Sequence, residues 1–208
     1  MLKLEATIIK PKFVLQKFRA DINDYRLPTW KRMWYLVRGL KPPMYDYERF
    51  FSENEPYEVL EHEVNTVTNL GAQLLWRIFV GLGTSAAPSS TNRAAFLSSA
   101  NAYIGIGDGT APASVTDTNL TGTNKFFKAM DSGYPQAPSF DPTGSRAVTF
   151  LSTFGTTEAN FAWNEVGLAN ADLTTNANGI LFNRANVSWG TKTSNDTWAV
   201  AVMLRVLT

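Results

Sequence analysis

The sequence predicts a mainly β protein: an antiparallel β-sandwich or jelly-roll-like body with one packed helix and an extended N-terminal arm. From residue 101 onward, short apolar and aromatic segments alternate with loops rich in Gly, Thr, Asn, Ser and Asp. Residues 83–208 carry only 15 charged side chains, whereas residues 1–49 carry 11 Lys or Arg and 5 Asp or Glu. Prolines at 11, 28, 42, 43 and 56 exclude a long helix in the first 57 residues.

These differences predict three parts: residues 1–57 as an aromatic and basic docking arm, residues 58–100 as a helix and linker, and residues 101–208 as the β-sandwich. Aromatic side chains interleaved with Lys and Arg are typical anchors for a partner subunit. The candidate docking residues are Phe13, Phe18, Trp30, Trp34, Tyr35, Tyr45, Phe50 and Phe51. The alternative is that the arm wraps its own β-domain.

Two helices are predicted before residue 101. A short one fits Thr29–Arg38, with Thr29 as its N-cap and Gly39 just past its end. A longer one fits residues 57–82, where apolar residues recur at spacings of three and four and glutamates come early. Because β-branched residues are frequent in its first half, that half is alternatively a strand. Residues 84–100 form a linker, with a helical turn at 93–98.

Six strands are predicted in the body, separated by turn-forming residues. They are Ala102–Ile106, Lys125–Met130, Ala147–Phe154, Phe161–Ala169, Ile180–Val187 and Trp198–Leu207. The last strand is apolar on both faces, which predicts a strand that is covered on both sides.

Composition argues against an enzyme, and we expect no cofactor and no metal centre. The chain has no cysteine and a single histidine, His62, so thiol chemistry and histidine clusters cannot be built. We interpret His62 as a solvated residue on a helix face. The glycines at 105, 107 and 109 follow a strand but no helix comes after them, so they predict a tight turn or bulge rather than a phosphate loop. Loop Asp and Asn oxygens leave a calcium site open, without EF-hand spacing.

Glu165 is the carboxylate that invites a chemical role, because it lies within an apolar strand. A glycan hydrolase would need a second carboxylate facing it at a fixed separation, which a sequence does not establish. The favoured interpretation is structural: Glu165 pairs with an arginine such as Arg184 or Arg205, or caps a loop.

Membrane and nucleic-acid partners are not favoured. No apolar run approaches the roughly 20 residues of a membrane helix, and the N-terminus lacks the apolar stretch of a signal peptide. The basic excess of residues 1–49 is modest, it is offset by five glutamates in residues 50–76, and no nucleic-acid motif is present.

Residues 65–208 resemble a family of tailed-bacteriophage virion structural proteins. The similar phrases are TNLG at 68–71, YIGIGDG at 103–109, KAMDSGYP at 128–135, FGTTEANF at 154–161, WNEVG at 163–167, LFNR at 181–184 and GTKT at 190–193. The resemblance implies a component of the virion, either a capsid decoration protein or a protein like those of tail fibres and baseplates. Residues 1–57 lie outside it.

Together these expectations describe a noncatalytic subunit of the virion, with other virion subunits as partners and a homo-oligomer as its state. Three placements compete: capsid decoration or cement, tail fibre or baseplate, and head–tail connector. Deleting residues 1–57 is expected to abolish incorporation into particles and leave the body folded. The alternative function is a carbohydrate-binding module that recognises a host-surface glycan through exposed Trp163, Trp189 or Trp198.

Overall fold

The computed structural model describes residues 9–39, 42–63, 66–79, 101–136, 147–176 and 179–206. The protein is mainly β, with two antiparallel sheets that form a sandwich, so the predicted fold class is confirmed. The strands are β1 (Ile9–Phe18), β2 (Glu58–His62), β3 (Thr66–Val67), β4 (Tyr103–Gly107), β5 (Lys125–Ala129), β6 (Ala147–Phe154), β7 (Glu165–Ala169), β8 (Leu181–Asn186) and β9 (Thr197–Val206). The helices are α1 (Thr29–Val37), α2 (Tyr47–Glu53), α3 (Asn69–Phe79) and a 3-10 turn at Ile22–Tyr25.

The first sheet has four strands in the order β2-β1-β9-β6. Strand β1 pairs with β9 along its whole length, from Ile9 opposite Val206 to Phe18 opposite Thr197, and with β2 on its other side. Residues 9–18 are therefore a central strand of the body and not part of a separate arm. The alternative prediction, that this segment packs on its own β-domain, describes β1 and β2 correctly.

The second sheet has five strands in the order β3-β8-β7-β4-β5. Each of the six strands predicted after residue 101 has a counterpart in the two sheets, and β6 has the predicted bounds. The fourth is shorter than predicted, because β7 begins at Glu165 and the preceding residues only form an isolated bridge between Ala162 and Thr191.

The main core lies between the two sheets. It takes Phe13 and Leu15 from β1, Trp198, Val200 and Val202 from β9, Phe150 and Phe154 from β6, and Ile104, Ile106, Val166, Leu168 and Phe182 from the second sheet. Trp163 lies at its centre, with its ring 5.0 Å from Phe154 and 4.7 Å from Trp198 in edge-on contacts.

A second apolar group, here called the outer-face cluster, covers the opposite side of the four-stranded sheet. It consists of buried Phe18, Ile22, Phe50, Leu151 and Ala199, with Tyr25, Tyr45, Tyr47 and Phe51 partly buried against them. Strand β9 contributes to both clusters, so the prediction that it is covered on both sides is confirmed at Ala199; farther along, Ala201 and Met203 are only partly buried on the outer face.

The helix predicted for residues 57–82 is wrong in its first half. Residues 58–62 form β2 and residues 66–67 form β3, as the alternative prediction had it, and only Asn69–Phe79 is helical. His62 accordingly lies in a strand, opposite Phe13, and not on a helix face. Helix α3 packs closely on β8 at Gly71, where a Cβ atom would lie 2.0 Å from the carbonyl oxygen of Phe182.

The short helix predicted at Thr29–Arg38 is confirmed as α1, although Pro28 and not Thr29 occupies the N-cap. Gly39 follows with a φ of 70°, the left-handed conformation that glycine adopts at helix ends. The turn predicted at residues 93–98 lies outside the described residues. Among the helices that the structure describes, none is long and apolar enough to span a membrane.

Candidate docking surface

The eight predicted docking residues divide into three groups in the structure. Phe13, Phe18 and Phe50 are fully buried, the first in the main core and the other two in the outer-face cluster. These three side chains stabilise the chain's own fold and cannot dock on a partner. Their prediction as docking residues is therefore wrong, because β1 places Phe13 in the main core and Phe18 in the outer-face cluster.

Tyr45 and Phe51 are partly buried members of the outer-face cluster. The ring of Phe51 lies 5.6 Å from Phe18 and 5.3 Å from Phe50, and the Tyr45 hydroxyl donates to Asn23 Oδ1 at 3.2 Å. Both residues hold α2 and the 3-10 turn against the sheet, so they contribute to the surface only at their edges.

Helix α1 presents the remaining candidates, Trp30, Trp34 and Tyr35. None of its residues is buried. Trp30 is 68% exposed, Met33 55%, Trp34 48% and Val37 83%. These four positions have the spacing i, i+3, i+4 and i+7, so they form one apolar stripe along the helix. We call Trp30, Met33, Trp34 and Val37 the α1 stripe.

The α1 stripe is held in a defined orientation. Leu27 N donates to Met44 O at 3.1 Å and a β-bridge joins Arg26 to Tyr45, so the two ends of segment 28–43 are fastened together. Lys31 Nζ lies 2.6 Å from Asp46 Oδ2, and this contact lowers the pKa of the Asp46 carboxyl. The base of the segment that carries α1 is thus fixed.

Basic side chains accompany the stripe. The guanidinium of Arg38 lies 3.9 Å from the ring centroid of Trp34, and the ring of Tyr35 meets Trp34 edge-on at 5.2 Å. Arg32 is exposed on the same helix. Exposed Trp and Met beside Arg is the composition of an interface anchor, because such side chains bury large areas at low entropic cost.

The three tryptophans suggested for sugar recognition are unsuited to it. Trp163, Trp189 and Trp198 are all buried, and Trp163 Nε1 donates to Ala159 O at 2.8 Å. Sugar-binding platforms need an exposed ring, so the observation behind the carbohydrate-binding alternative is contradicted at these positions.

Glu165 is part of a buried ion network. The Arg184 Nε lies 2.6 Å from Glu165 Oε2, and both side chains are 0% exposed. Glu165 also accepts hydrogen bonds from Thr121 N and Oγ1, each at 3.1 Å, and from Gly122 N at 2.7 Å. The predicted pairing with an arginine is confirmed, and its partner is Arg184.

Arg184 uses its remaining donors on the loop between β4 and β5. Its Nη1 lies 2.8 Å from Asp117 Oδ2, and its Nη2 donates to Ala111 O at 2.6 Å. Gly107 makes room for the carboxylate, since a Cβ there would lie 2.3 Å from Glu165 Oε1. The glycines predicted to form a turn therefore serve this network, and β4 continues through Gly107.

Lys192 holds the segment that follows β6 in place through hydrogen bonds. Its ammonium donates to Gly155 O at 2.7 Å and to Asn160 Oδ1 at 2.9 Å, while burial lowers its pKa to about 8. Both acceptors belong to the segment that follows β6. These contacts give Lys192 a structural role.

Asp131 is a buried carboxylate that faces α2. It accepts from Thr153 N at 3.1 Å and from Thr153 Oγ1 at 2.6 Å. Burial and the nearby Asp131 raise the pKa of Tyr47, the first residue of α2. Burial raises the pKa of Asp131 to about 6, against the opposing effects of the Thr153 hydrogen bonds and the positive charge of Lys128.

Asp131→Asn is expected to remove a pH dependence of stability. The folded carboxyl, with a pKa of about 6, holds its proton more tightly than the unfolded one, with a pKa of 3.8. This contribution to stability is complete below pH 3.8 and is lost as the pH rises through 6, by an amount of about 3 kcal/mol. Urea unfolding at pH 4, 5, 6 and 7 measures it.

The exposed Asp24→Asn variant is the control for this measurement. We expect the wild-type protein and Asp24→Asn to lose stability in parallel between pH 4 and 6. The free energy of unfolding of Asp131→Asn should rise relative to both as the pH increases over this range. Equal slopes for all three proteins would contradict the assignment to Asp131.

Across the described ranges, no group of three or more His, Asp or Glu side chains could hold a metal ion. Comparison of the chain with protein-family models, with curated proteins and with solved structures finds no match. Among the described residues, the α1 stripe brings four exposed large apolar side chains together on one helix, an arrangement typical of an interaction site.

Proposed function

We propose that the protein is a noncatalytic structural subunit of a tailed bacteriophage particle. It docks on neighbouring virion subunits through α1 and exposes its β-sandwich on the particle surface, as a capsid decoration or cement protein or as a tail-fibre or baseplate component. The observation that carries the docking part is the α1 stripe, which has four large apolar side chains exposed on a helix with no buried residue. The resemblance of residues 65–208 to virion proteins supports the proposal that the chain is part of a virion.

The interior of the body fits a structural role. The buried carboxylate and arginine that could have served a reaction are each hydrogen-bonded within the fold. Such networks fix loops in one conformation. A subunit that recurs on a particle needs one rigid body and one defined contact, and the fixed base of segment 28–43 supplies the second.

The double variant Trp30→Ala/Trp34→Ala tests the proposal. We expect its incorporation into purified particles to fall at least about tenfold, because buried tryptophans at an interface each contribute roughly 2 kcal/mol or more. Stability should change by less than about 0.5 kcal/mol, since both residues lie on the surface. Quantitative immunoblotting of particles from the strain that encodes the chain measures the incorporation.

Trp76→Ala is the matched control, because Trp76 is 55% exposed on α3, outside segment 28–43. Immunogold labelling with an antibody against residues 101–208 assigns the position. Regular label over the head indicates decoration, and label at one tail end indicates a fibre or baseplate role. Absence of the chain from purified particles would contradict the virion role, and normal incorporation of the double variant would contradict docking through α1.

A further inference from the structure

The outer face of the four-stranded sheet carries a groove beside α2. In the part of the chain that the structure describes, it is a cavity of about 450 Å³ lined mainly by Val14, Phe18, Phe51, Leu151, Ala201 and Met203. Its depth follows from the strand register. Ala201 lies opposite Val14 on one side and Leu151 on the other, so a small side chain stands between two larger ones.

The groove is suited to a large apolar side chain. Its volume lies within the roughly 300–1,000 Å³ of sites that hold a small molecule. Its polar lining includes Gln16, Asn54 and Thr149, which can hydrogen-bond an indole N–H. Aromatic rings that have one polar edge are favoured in such sites.

One end of the groove, beside α2, is complementary in charge to the helix. Glu55 is exposed between Asn54 and Pro56, which both line the groove, whereas the neighbouring Glu53 is paired with Arg49 at 2.7 Å. Farther along the sheet, Lys12 lies opposite Met203 and is paired with Glu61 at 2.8 Å. The α1 stripe is accompanied by Arg32 and Arg38. Within one chain, α1 contributes no residue to the groove and its stripe stays exposed, so the two surfaces do not meet.

We infer that the α1 stripe of one copy binds in the groove of a second copy, so that the protein assembles head to tail. The inference rests on the proposed docking role of α1 and names its partner. Each copy carries one helix and one groove, and such a heterologous contact repeats into a ring or a filament. A helix of nine residues buries less than the about 1,200–2,000 Å² of a stable complex, so a single contact is weak and repetition strengthens it.

Sedimentation velocity of the full chain tests the assembly. As the protein concentration rises from roughly 1 to 500 µM, we expect the wild-type protein to change from monomers to larger species. These concentrations cover the dissociation constants of weak interfaces. Two variants should each remain monomeric: the helix variant Trp30→Ala/Trp34→Ala, and the groove variant Met203→Lys, which replaces an apolar side chain of the groove lining by a charged one. The dissociation constant should rise about 30-fold or more in each.

Mixing the two variants gives the decisive result. The helix variant keeps an intact groove and the groove variant keeps an intact helix, so an equimolar mixture should form a one-to-one dimer and nothing larger. A mixture that stays monomeric would overturn the inference, as would a helix variant that associates like the wild-type protein. Trp76→Ala should assemble normally, and thermal unfolding verifies that each variant is folded.

A charge reversal provides a second route, because it alters only exposed side chains. Arg38→Glu and Glu55→Arg should each weaken association about tenfold, and the two together in one chain should restore it. Failure of the combined variant to recover would contradict the charge complementarity between α1 and the end of the groove beside α2.

The outcomes separate this inference from the proposed function. A wild-type chain that is monomeric at every concentration, but still needs Trp30 and Trp34 to enter particles, would overturn self-association and leave docking on a different protein. Assembly through α1 and the groove without any chain in particles would support the inference and contradict the virion role. Monomers that bind anionic vesicles through α1 would overturn the inference in favour of a membrane surface.

Discussion

Glu165→Gln is expected to lower the free energy of unfolding by about 3–5 kcal/mol, the cost of removing one partner from a buried ion pair. The amide keeps an acceptor for Gly122 N but leaves the Arg184 guanidinium, which is 0% exposed, without its closest counter-charge. Because total stability is roughly 5–15 kcal/mol, this change removes a large part of it. Urea unfolding at neutral pH measures the difference.

Glu61→Gln is the matched control, with the same substitution in an ion pair between strands. Glu61 lies 2.8 Å from Lys12, but its side chain is 57% exposed, so we expect a loss of less than about 1 kcal/mol. A loss for Glu165→Gln as small as that of Glu61→Gln would show that the network contributes little. In that case the carboxylate would need another explanation.

Deleting residues 1–18 is expected to prevent folding altogether. It removes β1 from between β2 and β9, together with Phe13, Leu15 and Phe18, which are at most 1% exposed. Each of these side chains contributes roughly 1.5–3 kcal/mol through burial, and the backbone partners of two strands are lost as well. Circular dichroism and solubility after expression measure the result.

Replacing residues 28–43 by Asn-Gly is the matched deletion, and it should leave the body folded. The ends of the segment are already bridged by the 3.1 Å hydrogen bond from Leu27 N to Met44 O, and α1 contains no buried residue. A two-residue turn is compatible with that spacing. A folded protein after the first deletion, or an unfolded one after the second, would contradict this division of the N-terminal region.

The strands after residue 101 could be predicted from the sequence because their information is local. Alternating apolar residues and turn formers define each segment, and the structure confirms β4, β5, β6, β8 and β9 within a few residues. The alternation does not determine which strands pair with each other. The pairing of β9 with β1 depends on tertiary contacts that no window of sequence contains.

Strand β1 was predicted as part of an arm because its pattern is obscured. Pro11 argues against a central strand, yet it lies opposite Leu204 before the pairing with β2 begins at Phe13. A lysine at position 17 is typical of a protein surface, but the aliphatic part of its side chain is buried. Its ammonium donates to Glu58 Oε2 at 2.7 Å and to Trp189 O at 2.6 Å.

The exposure of Trp30 and Trp34 agrees with their prediction as docking residues, while docking itself stays a prediction. The burial of Phe18 and Phe50 could not be predicted, because it depends on a contact between the two rings, 5.0 Å apart, that are distant along the chain. The Arg184 partner of Glu165 was among two predicted candidates. Adjacent strands decide it, since Arg184 lies opposite Gly167, two residues from Glu165.

The pairing of the first described strand with the last has a consequence for folding kinetics. The four-stranded sheet cannot close until Thr197–Val206 is available to Ile9–Phe18, so a nascent chain on the ribosome exposes the apolar face of β1 until β9 has emerged. Contacts this distant along the chain give a high contact order, and sandwiches of this kind fold in roughly milliseconds to seconds. During that interval the unpaired β1 edge is open to other chains, so the yield of folded protein should depend on chaperones and on expression rate.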